Sequence, residues 1–364
     1  MEPLLDRLGR PLETLRVSVT DRCNFRCVYC MPKEVFGREY AFLERRELLS
    51  LEEIARVAGV FAQLGVRTLR ITGGEPLVRR NVEYLIELLA AIERPDGSVA
   101  GSAAGQAGDA RPGDLGRRRR PNGLDLALTT NGSVLAEKAE ALAAAGLSRV
   151  TVSLDSLDDE SFRAMNDVDF PVRRVLDGID AAAAAGLPVK VNAVVKRGVN
   201  DAGFVELAEH FRGTGHVLRF IEFMDVGTTN GWRLEDVVTA DEIVERIGAR
   251  WPLEPVAADS ADATARRFRY ADGAGEIGVI ASVTKPFCGA CSRARLSAEG
   301  SLYTCLFAAC GHDLRAPLRS GATDDEIAET LRGIWSRRTD RYSELRTAET
   351  AGAKAKVEMS YIGG

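Results

Sequence analysis

Between Leu15 and Met224 six apolar runs alternate with five helical patterns. The strand-like runs are 15–20, 66–72, 124–129, 149–154, 189–195 and 217–224. In the first, Leu15, Val17 and Val19 face one way and Arg16, Ser18 and Thr20 the other. The helical stretches are 50–64, 81–92, 134–145, 172–185 and about 202–211. The first has Ser50 as a cap, Glu52 and Glu53 in its opening turn, and Gly65 as its stop. Strands that alternate with helices must lie parallel, because each helix carries the chain back to the same end of the sheet. The expected fold is therefore α/β: an incomplete, TIM-like (β/α)6 barrel.

In such barrels, chemistry collects where strands end and loops begin. Here those ends carry unusual residues. Strand one runs into Cys23, Cys27 and Cys30, spaced C-x3-C-x2-C, with Tyr29 before the last. Strand two runs into Gly73-Gly-Glu-Pro76, strand three into Thr129-Thr-Asn-Gly132, and strand four into Ser153-Leu-Asp-Ser156. Strand six ends in Glu222-Phe-Met-Asp225. Structural zinc normally takes four protein ligands, and a four-iron cube usually four cysteines. Three thiolates leave one position open. The seven cysteines of this 364-residue chain fall in two tight groups, not a disulfide framework, which suggests a reducing compartment. No apolar run reaches the roughly eighteen residues that span a bilayer, and no signal peptide is visible, so the expected location is cytoplasmic. A net charge of −5 gives no basic field for nucleic acid.

Residues 93–123 break the rhythm. They are rich in Gly, Ala, Ser and Pro, and Arg117–Arg120 is read as a solvated run, so about 94–122 is expected to be a disordered insertion. After Met224 the alternation stops. A short helix at 239–247, five short strands between Trp251 and Leu306 and a helix at 324–337 predict a smaller C-terminal α+β layer with antiparallel strands. The domains are then 1–235 and 236–364. The second cysteine group, Cys288, Cys291 and Cys305, lies in this half. Cys310 could close it as a fourth ligand in a structural zinc or cluster site. Against that, Arg293 and Arg295 stand beside it on one strand face, and Arg16 and Arg70 add two more permanent cations. Guanidinium forks suit phosphate.

Together, SVTDRCNFRCVYCMP, RITGGEP, LTTNG, VSLDS, FIEFMDVG, CGACSRARLSAEGSLYTCLF and the final Gly-Gly resemble the GTP 3′,8-cyclase family of radical S-adenosylmethionine (SAM) enzymes. The resemblance covers nearly the whole chain outside the insertion. It implies a radical SAM barrel, two [4Fe-4S] clusters and SAM as cofactors. Cys23, Cys27 and Cys30 match the ligands of the SAM cluster. Cys288, Cys291 and Cys305 match those of the second, whose open iron holds guanine. Tyr29, Gly74, Ser153 and Met224 match SAM-contacting positions. Arg16, Arg70, Thr129, Lys190, Arg293, Ala294 and Arg295 match GTP-contacting positions.

The resemblance also implies that Arg293, Arg295, Gly363 and Gly364 serve catalysis, the last two as a tail reaching into the site. The implied reaction belongs to molybdenum-cofactor (molybdopterin) biosynthesis. A 5′-deoxyadenosyl radical removes the ribose 3′ hydrogen of GTP, and the carbon radical closes on guanine C8. Implied partners are a second copy in a homodimer, an electron donor such as flavodoxin or ferredoxin, and a downstream cyclic pyranopterin monophosphate synthase. No membrane or nucleic-acid partner is expected. The competing readings are a radical SAM peptide modifier with an auxiliary cluster and a non-catalytic iron–sulfur sensor. The first typically needs more C-terminal cysteines, and the second does not need GGEP, TTNG and VSLDS at successive strand ends.

Overall fold

The structure, a computed structural model, describes residues 3–93, 123–258, 260–347 and 355–363. The expected insertion at about 94–122 and the terminal Gly364 lie outside them. Its strands are β1 (Thr14–Ser18), β2 (Thr68–Thr72), β3 (Asp125–Thr130), β4 (Arg149–Ser153), β5 (Val189–Val195) and β6 (Val217–Glu222). They continue with β7 (Leu253–Val256), β8 (Arg266–Tyr270), β9 (Glu276–Ile280), β10 (Arg293–Leu296), β11 (Ser301–Tyr303) and β12 (His312–Asp313). All twelve belong to one sheet, ordered β12-β11-β10-β1-β2-β3-β4-β5-β6-β9-β8-β7.

The run β1 to β6 is parallel and in chain order, as the alternation requires. The C-terminal strands differ from expectation: they do not form a separate layer. β10 pairs parallel with β1, and β9 pairs parallel with β6. Each then turns back into an antiparallel hairpin, β10–β11–β12 at one edge and β9–β8–β7 at the other. The reason is exposed backbone. A six-strand parallel sheet ends in two rows of unpaired N–H and C=O groups, and the C-terminal half covers both.

Helices pack outside the sheet. The helix Leu51–Gln63 starts with a capping box, in which Ser50 Oγ accepts from Glu53 N and Glu53 accepts from Ser50 N. Leu15, Val17, Leu69, Ile71, Leu126 and Leu128 are fully buried against this helical shell. Their strand neighbours Arg16, Arg70 and Thr129 point the other way, into the barrel, so one alternation builds both core and site. A helix the periodicity misses, Asp159–Asn166, has only Phe162 and Met165 as buried apolar residues. Its C-terminal carbonyls hold the cysteine loop: Arg26 N donates to Asn166 O at 2.9 Å and Val28 N to Met165 O at 3.0 Å. Glu93 and Gly123 form an antiparallel bridge, so the chain leaves and re-enters the barrel at one point. Among the described residues, no helix is long and apolar enough to cross a membrane.

Candidate active site

The barrel interior holds two connected cavities at the C-terminal ends of the strands. The first is lined by Cys23, Cys27 and Cys30, with Gly73, Gly74 and Glu75 opposite. The second, of about 280 Å³, runs from the arginines of β1 and β2 to Cys288, Cys291 and Cys305. Tyr29, Thr129, Ser153 and Met359 line both and mark the seam.

The cysteine loop is shaped by its own backbone. Cys27 O accepts from Cys30 N at 2.9 Å and Met31 N at 2.8 Å, while Arg26 binds the carbonyls of Cys23, Phe25 and Phe36. The GGEP loop docks on it through Gly74 N to Thr20 O and Glu75 N to Arg22 O, each 2.8 Å. A Cβ on Gly74 would run into the Arg22 carbonyl, so glycine is required there for close approach. Glu75, fully enclosed, accepts from Leu77 N, Thr130 Oγ1 and Asn131 N, and burial still pushes it up to about 7. Tyr29 donates to Asp155 at 2.9 Å, and burial raises Asp155 to about 6.

The donor sets fit iron–sulfur ligation. Cys23 Sγ accepts from Phe25 N at 3.3 Å and lies 3.8 Å from Asn131 Nδ2; Cys305 Sγ accepts from Phe307 N at 3.5 Å. N–H groups aimed at sulfur are what a cluster thiolate takes. Burial holds the bare Cys23 thiol up at about 12 and Cys305 at about 11. At Cys291 burial acts in the same direction, but Arg293 and Arg338 overcome it and bring the thiol down to about 6. Among the described residues, no three His, Cys, Asp or Glu side chains converge as one metal ion needs. A four-iron cube makes no such demand, because it spreads its thiolates one to an iron. Cys310 is exposed and lines neither cavity, so it does not join the other three.

Register places the charges. Arg16 pairs with Arg70 on one side and Arg295 on the other, giving three guanidinium side chains in one cross-strand row. Arg293 and Arg219 line the same cavity. Arg70 donates to the hydroxyls of Thr129 and Thr151, Arg219 to the Asn192 amide oxygen, and Arg295 to the Gly363 carbonyl. All are neutral acceptors. Arg16 Nε has no partner among the described residues. The two carboxylates lining this cavity are committed elsewhere: Glu222 to Ala240 N, Val283 N and Thr284, and Asp155 to Tyr29 and Val194 N. Burial, then the neighbouring guanidiniums, push Arg16 well down. Like charges directly opposite on adjacent strands destabilise a sheet, so the row is built for an anion.

Of the residues singled out from sequence, the three N-terminal cysteines, Tyr29, Gly74 and Ser153 meet in the first cavity. Arg16, Arg70, Thr129, Met224, Arg293, Arg295 and the second cysteine triplet meet in the other. Lys190 sits on the same face of β5 as Asn192 without lining either cavity. Ala294 is buried beside Leu15 on the outer face, between the two inward arginines. Gly363 adopts φ +70°, and a Cβ there would overlap Thr72 Oγ1. Sequence reasoning missed Arg219, Asn192 and Met359, and reached Asp155 only as part of Ser153-Leu-Asp-Ser156. The signal for Arg219 was strand alternation, since it shares a face with Ile221.

Comparison with known proteins tiles the chain. The family described as "Radical SAM superfamily" matches residues 17–211, and "Molybdenum Cofactor Synthesis C" matches 216–344. A curated "GTP 3′,8-cyclase" of Acidothermus cellulolyticus is 50% identical, covering 100% of this chain and 99% of its own. Proteins of the same name from Xanthomonas campestris and Staphylococcus epidermidis are 48% and 43% identical, covering all of this chain and 98% and 99% of their own. On this full-length identity the chain belongs to the GTP 3′,8-cyclase family of the radical SAM superfamily.

Proposed function

We propose that this chain is a radical SAM lyase that converts GTP to (8S)-3′,8-cyclo-7,8-dihydroguanosine 5′-triphosphate in molybdenum-cofactor biosynthesis. The observation that carries this reading is the uncompensated row Arg70–Arg16–Arg295, with Arg219 and Arg293, set between two cysteine triplets. A triphosphate supplies the missing negative charge.

In this reading Cys23, Cys27 and Cys30 would hold one [4Fe-4S] cluster, and Cys288, Cys291 and Cys305 a second that would anchor the guanine end of the substrate. Together the first cluster and SAM supply a one-electron reductive cleavage, and so a carbon-centred hydrogen abstractor. The chain's own residues do the positioning. Tyr29, Gly74, Ser153 and Met224 seat SAM at the seam. Arg16, Arg70, Thr129, Arg219, Arg293 and Arg295 neutralise and orient the triphosphate, with Lys190 next along the Asn192 face of β5. That places the ribose 3′ hydrogen toward the seam and keeps it there while water is excluded. The Gly363 carbonyl accepts from Arg295 and braces it. The protein works in the cytoplasm as a homodimer whose subunit is divided at about residue 235. It takes electrons from a flavodoxin or ferredoxin and passes its product to cyclic pyranopterin monophosphate synthase.

The test is an anaerobic assay of reconstituted protein with GTP, SAM and dithionite. Equimolar 5′-deoxyadenosine and cyclised nucleotide are expected, with deuterium transferred from 3′-deuterated GTP. SAM cleavage that leaves GTP untouched would overturn the assignment.

A further inference from the structure

Within the last described segment, 355–363, the stretch Lys356–Gly363 crosses the seam. Met359 lines both cavities, Ser360 lines the first, and the Gly363 carbonyl accepts from Arg295. Its only helix, Met359–Ile362, is four residues long and cannot hold itself in place. Something else must fix it.

The loop after β6 provides the hold. Asp225 is buried and lines neither cavity. Lys356 Nζ donates to its carboxylate at 2.7 Å and its carbonyl at 2.6 Å. Tyr342 OH and Arg346 complete the carboxylate's contacts. Three residues on, Thr228 donates from its N–H and its hydroxyl to Glu358 at 2.9 and 2.8 Å, and the Thr229 hydroxyl donates at 3.0 Å. Gly227, at φ +64°, leaves the room that Glu358 occupies; a Cβ there would overlap its carboxylate. Val357 N adds one backbone bond to Ala308 O at 2.9 Å.

We propose that the Asp225–Thr229 loop is a clamp that positions the C-terminal strap over the seam, and that Asp225 is the positioning residue on which the clamp depends. The reasoning is electrostatic. Lys356 is buried, and a buried cation is retained only where a counter-charge meets it. Asp225 is that counter-charge, so the first residue of the strap is pinned within the fold and Met359 and Gly363 follow at fixed distances. This rests on the cyclase reading for its consequence: a displaced strap opens the seam, so a hydrogen abstractor formed there reacts with something other than GTP.

The test uses the full chain with Asp225→Asn, and with Lys356→Met, which keeps Asp225 paired to Arg346 and guards against misfolding. In metal-free protein without substrate, hydrogen exchange at the Val357 and Tyr361 amides is expected to quicken at least about tenfold in both variants. In reconstituted enzyme, the ratio of 5′-deoxyadenosine to cyclised product should rise about tenfold, with iron content and the SAM Kd within about twofold. Lys356→Arg should restore coupling. Unchanged exchange in both variants would overturn the clamp, and quicker exchange with undisturbed coupling would overturn the positioning role. A wild type that never consumes GTP would sink the cyclase reading instead, while the exchange result still judges the clamp.

Discussion

Replacing Arg16 by Met should move stability and affinity in opposite directions. Arg16 stands in register between Arg295 and Arg70, and adjacent strands are about 4.8 Å apart. If the guanidinium heads splay to about 8 Å at an effective dielectric of about 20, each neighbour repels Arg16 by ~2 kcal/mol. Methionine keeps the apolar stem and removes the charge. The ligand-free variant should therefore be more stable than wild type, by about 1–4 kcal/mol after partial screening by solvent in the cavity. GTP binding should suffer, because losing a cation that pairs with a desolvated phosphate costs about 2–5 kcal/mol. That is at least about a thirtyfold rise in Kd. Urea denaturation of ligand-free protein and anaerobic equilibrium dialysis with labelled GTP and SAM measure the three quantities. SAM affinity should hold within about twofold. A variant less stable than wild type with undiminished GTP affinity would refute the reading of the row as an anion site.

Four further outcomes are expected. Reconstituted protein should carry about eight irons, falling to about four in Cys30→Ala or Cys291→Ala and unchanged in Cys310→Ala, by elemental analysis. One zinc beside four irons would contradict the two-cluster assignment. Asp155 is raised to about 6 from an unfolded value of 3.8, so its contribution to stability is present below pH 4 and lost as pH rises through 6. Asp155→Asn should remove that slope in metal-free protein and gain up to about 3 kcal/mol at pH 8, by urea titration across pH. Gly363→Val should abolish cyclisation while sparing GTP binding, since a side chain there meets Thr72; normal turnover would refute it. Deleting residues 95–121 should leave the melting temperature within about two degrees, because Glu93 and Gly123 already pair; a larger drop would mean the segment packs on the barrel.

The barrel was legible because alternation does two jobs at once on its strands. In Leu15–Val17 and Leu69–Ile71 the apolar residues declare the helix-facing side, and the arginines between them thereby declare the interior. The same logic reached Arg293 and Arg295 but stopped short of Arg219, whose neighbours Phe220 and Ile221 mask the period. The parallel pairing of β10 with β1 left no local trace, since the partners lie at opposite ends of the chain. Helix Asp159–Asn166 escaped because two buried apolar residues in eight show no clear stripe. The clamp was invisible for another reason: Asp225, Lys356 and Glu358 are ordinary charges until the fold brings them together and buries the first two.

The pairing of β10 on β1 has a consequence for synthesis. β1 ends at residue 18 and its outer partner begins at residue 293. At about 5–20 residues per second, a ribosome needs roughly 14–55 s to make the stretch between them. Throughout that time the nascent barrel carries an open parallel edge at its oldest strand. Such an edge recruits other chains unless something discourages them. Arg16 stands on that strand beside Arg70, and inward-pointing charges on an open edge discourage another chain from pairing with it. The charges that await a nucleotide in the finished protein thus also keep unfinished copies apart.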